Sequence, residues 1–180
     1  MKIKALISMV IIFLFSGCAV SDTFVIKNVV KKYDQKLVAA LSQGNPEVLK
    51  DYATEDERGR VYIFISELLK KNRLLKARLI KLKFLEARKV TSQEVEELLR
   101  KRKERLEKQK LFTIPVEVAK VPYALVRTEE TWKYTYIDAS SGRPVSEETG
   151  VSYQNSYFLI MENDKWFVDR IDAVEVPPKK

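Results

Sequence analysis

From residue 21 to residue 41, apolar side chains recur every three or four positions: Phe24, Val25, Val29, Val30, Tyr33, Leu37, Val38 and Leu41. This period predicts an amphipathic helix. Ser21, Asp22 or Thr23 can cap its start, and Gly44-Asn45-Pro46 ends it. Pro46 to Tyr52 reads as a short second helix with proline in its first turn. Thr54 to Asn72 reads as a third, capped by Thr54, with Val61, Ile65, Leu68 and Leu69 on its buried side. Residues 74–90 fit two periods. Ile80-Lys81-Leu82-Lys83-Phe84 alternates as a strand does, whereas Leu75, Leu79, Leu82 and Leu85 also suit a helix. The strand is the preferred reading, with one long helix as its alternative.

Thr91-Ser92-Gln93-Glu94 has the form of a capping box and opens a helix to about Lys110, with Val95, Leu98, Leu99 and Leu106 on a narrow apolar stripe. Beyond Phe112 the period changes to two. Residues 113–121 and 123–137 are rich in Val, Thr, Tyr and Trp and read as strands. Residues 138–144 form a turn, 151–162 a strand, Asn163-Asp164 a hairpin turn and 165–174 the last strand. Helices followed by an antiparallel meander make an α+β domain.

The N-terminus follows a different pattern. Lys2 and Lys4 precede an apolar run from Ala5 to Phe15, and Ser16 and Gly17 lead to Cys18, the single cysteine in 180 residues. The run is too short for a stop-transfer helix and has the length and flanks of a signal peptide. Phe15-Ser16-Gly17-Cys18 resembles the lipobox of bacterial lipoproteins, with Phe where an aliphatic residue is usual. The resemblance implies a signal peptide at 1–17, acylation (diacylglycerol and palmitate-type chains) of Cys18, and anchoring by several acyl chains. Ala19 after the cysteine resembles the outer-membrane pattern, which faces the periplasm in a Gram-negative host. The division that follows is a lipidated N-terminus and tether at 18–22, one α+β domain at 23–176 and a tail at 177–180. With so short a tether, the first helix starts within roughly 15 Å of the membrane.

Charge narrows the partners. Without Lys2 and Lys4 the chain holds 31 basic and 25 acidic residues, net +6. An exported, anchored protein meets little nucleic acid, and no zinc-finger or RNA-binding signature appears. Anionic lipid or envelope polymers are better counter-charges. Arg100, Lys101, Arg102, Lys103 and Arg105 lie in a nearly all-charged stretch. They read as a solvated helix face laced with ion pairs, or else as a basic prong for a membrane or partner.

The C-terminal half resembles the nuclear-transport-factor-two-like (cystatin-like) superfamily. The resemblance is carried by Ala124-Leu125-Val126 before an aromatic strand, Gly142 in a turn, Tyr157-Phe158-Leu159, and Lys165-Trp166-Phe167-Val168. It implies helices packed on a curved antiparallel sheet that forms a cone with a pocket, and a homodimer as one option. The helix at 91–110 departs from that pattern as an insertion, with room to protrude.

Chemistry is sparse. There is no histidine, the lone cysteine is assigned to the lipid, and no phosphate loop, nucleophile elbow, metal-spaced cluster or cofactor motif appears. Period-two geometry places Ala124, Val126, Thr128, Glu130, Trp132, Tyr134 and Tyr136 on one strand face, with Tyr153 and Tyr157 sharing a face of the next. Glu130, Trp132, Tyr134, Tyr136, Tyr153 and Tyr157 are therefore the candidate pocket. Core aromatics beside an exposed or paired Glu130 are the plainer alternative. The reading is a non-enzymatic, lipid-anchored envelope module that binds an envelope protein partner. Its alternatives are an isomerase or hydrolase using Glu130 with tyrosine donors, and a carrier of an apolar ligand.

Overall fold

A computed structural model describes residues 22–108, 118 and 120–177. Helix α1 (Asp22–Gln43) buries Ile26, Val30, Tyr33, Ala40 and Leu41. Phe24 and Val25, expected on that stripe, face away from it and are exposed. Gly44 ends the helix in the left-handed region (φ 67°), and the Asn45 N–H reaches back to the Ala40 carbonyl at 3.1 Å. That bond is the long closure of a Schellman motif, which glycine alone enters without steric cost. The expected second helix contracts to a 3-10 turn at Pro46–Leu49, with Asn45 Oδ1 accepting from the Glu47 N–H. Residues 50–53 instead run to the sheet, where Ala53 forms a parallel bridge with Val168.

Helix α2 (Glu55–Leu69) starts where expected, with Thr54 Oγ1 accepting from the Glu57 N–H. It buries Val61, Ile65 and Leu68, while Leu69 falls outside the buried stripe and is exposed. Residues 73–90 form one long strand, β1 (Arg73–Val90), and the helical alternative does not occur. β1 pairs with β2 (Tyr123–Asp138), β2 with β3 (Thr149–Glu162) and β3 with β4 (Lys165–Val176), all antiparallel in the order 1-2-3-4. The sheet does not close on itself.

Bulges bend it. The β1–β2 register slips between Leu79 and Lys81 and again between Phe84 and Glu86. The skipped residues, Ile80 and Leu85, lose their strand partners and lie on the surface, which explains two exposed aliphatics inside an alternating strand. Asn163 and Asp164, both at positive φ (49° and 61°), close the β3–β4 hairpin with the handedness that matches strand twist.

α1 and α2 pack on one sheet face over a core that includes Ala124, Val126, Trp132, Tyr157 and Leu159. Helix α3 (Ser92–Lys108) packs on the opposite face, where Val95 joins Tyr123, Leu125, Phe158 and Ile160 in a second core. It therefore does not protrude. Thr91 Oγ1 accepts from the Glu94 N–H as the capping box requires, but the Glu94 carboxylate turns to Arg88 rather than back to the helix start. Most of the expected strand at 113–121, the signal peptide, Cys18 and the end of the tail lie outside the described residues; the described positions of that strand, Val118, Lys120 and Val121, are not in a strand.

Candidate functional site

The inner face of β2 carries polar side chains into the core. Thr128 and Glu130 are both buried, Glu130 at 2% exposure. Three donors converge on the Glu130 carboxylate. Thr128 Oγ1 donates to Oε1 at 2.6 Å, the Tyr157 hydroxyl to the same oxygen at 2.8 Å, and Trp132 Nε1 to Oε2 at 2.7 Å. Period two explains the trio on β2, since residues 128, 130 and 132 share one face. Tyr157 reaches it from β3, where it is the cross-strand partner of Val126. Of the plainer alternative, an exposed Glu130 does not occur, whereas core aromatics beside a paired Glu130 do.

Tyr157 also contacts Asp34 of α1, hydroxyl to Oδ1, at 2.8 Å. One phenol hydrogen cannot serve two carboxylates, so one of them must carry a proton. Asp34 is fully buried, and its Oδ2 has no partner. Burial, and then the Glu130 charge, push its carboxyl well above the ordinary 3.8, against the weaker pull of the Tyr157 bond. The hydrogens balance if Asp34 donates to Tyr157 and Tyr157 donates to Glu130, leaving Glu130, with its three donors, as the anion. Burial and the two carboxyl groups push the Tyr157 phenol well above its usual value, so it stays protonated.

A second relay abuts the first. The Tyr33 ring meets Tyr157 edge-on, with centroids 6.2 Å apart, and its hydroxyl donates to Glu57 Oε1 at 2.7 Å. Arg60 pairs with Glu57 Oε2 at 2.9 Å and donates to the Asp169 carbonyl at 2.6 Å, tying α2 to β4. Burial raises the Glu57 carboxyl, opposed by its bonds from Tyr33 and Arg60.

Above the Glu130 cluster lies a cavity of about 390 Å³. The structure brings all six candidate residues of the sequence reading to its wall: Glu130, Trp132, Tyr134, Tyr136, Tyr153 and Tyr157. Leu37 and Leu41 of α1 and Phe64 of α2 close the helical side. Asn155 lines the floor, buried, with its Oδ1 unpartnered. Burial raises the Tyr153 phenol, and Tyr134, Glu175 and Tyr136 add to it.

Asp34, Asn155 and Leu37 were absent from the candidate list. Asp34 was nonetheless legible as an acid between Tyr33 and Leu37 on the apolar stripe of α1. Among the described residues, no group of three or more His, Cys, Asp or Glu could hold a metal ion.

The five basic candidates on α3 are all paired. Arg100 meets Glu104 at 2.6 Å, Lys101 meets Glu97 at 2.6 Å, and Lys103 meets Glu107 at 3.8 Å. Arg102 and Arg105 both reach Asp172 of β4, at 3.0 and 2.7 Å, and so fasten the helix to the sheet. The geometry is that of a laced helix face rather than a free prong.

Fold and site together define an α+β domain with helices on an open four-stranded antiparallel sheet and a single-carboxylate aromatic pocket between them. No family model matches the chain, and no curated protein matches it. Among solved structures, the chain is similar to the crystal structure of the intermembrane space region of the chloroplast protein ARC6, with a TM-score of 0.57 and 12% sequence identity. The match covers 86% of this chain and 97% of that one. At that identity the likeness shows the fold alone. No helix among the described residues is long and apolar enough to cross a membrane.

Proposed function

We propose that this chain is a lipid-anchored binding module of the cell envelope, whose aromatic cavity receives a small ligand or a side chain of an envelope partner. The cavity carries the reading: about 390 Å³ and largely apolar, with a few polar groups in its lining. Its size and lining are those of a small-molecule or side-chain site. The lipobox-like Phe15-Ser16-Gly17-Cys18 supports the anchor, and the start of α1 at Asp22, four positions past Cys18, supports a short tether. An architecture of the nuclear-transport-factor-two-like kind, a bent sheet and helices around a pocket, fits this reading. So does a similar fold in an intermembrane-space region of another protein.

The acid–base alternative is weaker. Glu130 is buried and already occupied by three side-chain donors, and Asp34 is sealed beneath Tyr157.

Two measurements test the proposal. Cys18→Ser should move the protein from the membrane to the soluble fraction, and an unchanged distribution and mobility would defeat the anchor. For the cavity, the neutral dye phenylnaphthylamine should brighten on binding. Ala173→Trp should abolish the signal, because Ala173 is exposed at the rim and pairs across the strands with Asn155. An equal signal from both proteins would rule the cavity out.

A further inference from the structure

Resting on the cavity as a binding site, we infer that it selects an organic cation: an ammonium group carried on an apolar body. The rings and the charge of the lining point the same way. Trp132, Tyr134, Tyr136 and Tyr153 line the cavity, and the negative faces of such rings attract cations. Beneath them the lining holds one carboxylate, Glu130, and no lysine or arginine among the described residues. A positive head would meet an attractive field there, and a negative head a repulsive one. The Glu130 hydrogen bonds consume the hydrogens of Thr128, Trp132 and Tyr157, while the Asn155 Oδ1 in the same lining is an acceptor without a partner.

One ring of the wall already meets a cation from outside the lining. The guanidinium of Arg73 lies 5.9 Å from the centre of the Tyr136 ring. Arg73 is exposed at the start of β1 and is not part of the lining. Its positive charge opposes a second cation at the same ring. This makes Arg73 a tuning residue whose removal should favour the ligand.

Calorimetric titration of the purified full-length chain with hexyltrimethylammonium, hexanol and hexanoate tests the inference. The three share an apolar body and differ in the charge of the head. The ammonium should bind roughly ten-fold tighter than the alcohol, with the carboxylate weakest. Arg73→Ala should strengthen ammonium binding and leave hexanol unchanged. Tyr153→Leu, which keeps apolar bulk on a half-buried residue, should erase most of the ammonium preference. Hexanol or hexanoate binding as tightly as the ammonium would overturn the cation preference while the cavity still stood as a site. Binding of none of the three would overturn the cavity reading itself. Weaker ammonium binding by Arg73→Ala, or an unchanged preference in Tyr153→Leu, would also sink the inference.

Discussion

Asp34→Asn probes where the shared proton sits. If Asp34 is the neutral acid, asparagine is close to its isostere: an amide N–H can replace the acid O–H that donates to Tyr157, and Glu130 keeps all three donors. The sign follows from linkage. A carboxyl whose folded value lies above the unfolded 3.8 contributes stability that is complete below that value. The contribution is lost as pH rises towards the folded value, at a slope approaching about 1.4 kcal/mol per pH unit. The parent and Asp34→Asn should therefore be about equally stable near pH 4, with the variant increasingly favoured as pH rises to neutrality.

Glu130→Gln is the contrasting perturbation. It leaves Asp34 as the cluster's only carboxyl, with a single donor in place of three. Two charge-assisted hydrogen bonds lost at a buried site amount to about 3 kcal/mol. Glu130→Gln should then be less stable than Asp34→Asn by about that amount at pH 7. Urea unfolding followed by fluorescence suits the measurement, because Trp132 and Trp166 are both buried. Loss of more than about 1 kcal/mol in Asp34→Asn at every pH, with Glu130→Gln near the parent, would refute the assignment.

Three further outcomes test the framework around the cluster. Thr54→Ala removes the cap of α2 and the 3.2 Å bond to Asp169, and should cost about 1 kcal/mol in urea unfolding. Gly44→Ala places a Cβ 3.1 Å from Leu74 Cδ2 at a positive φ, and should lower stability by roughly 1–2 kcal/mol with a matching drop in Tm. Asp172→Ala releases Arg102 and Arg105 together, so amide exchange in α3 should quicken while the inner core stays protected.

The order of helices before strands, the Thr54 and Thr91 caps, the Asn163-Asp164 turn and the shared inner face of Glu130, Trp132, Tyr134 and Tyr136 were all legible in the sequence. Each depends on local geometry: a period of 3.6 or 2, a hydroxyl at a helix start, or a turn that admits positive φ. Local geometry does not say what lies opposite. Asp34 and Tyr157 stand 123 positions apart, and only the packing of α1 on β3 makes them share a proton.

The same limit holds for α3. Its charge pattern described a laced face well, yet Val95 and the two arginines found their partners on the sheet through tertiary contact. The bulges that expel Ile80 and Leu85 belong to the β1–β2 pair rather than to β1 alone. The sequence by itself determined which side chains share a face. Tertiary structure decided which faces meet, because burial beneath a second element turns one glutamate among aromatic residues into an anionic floor.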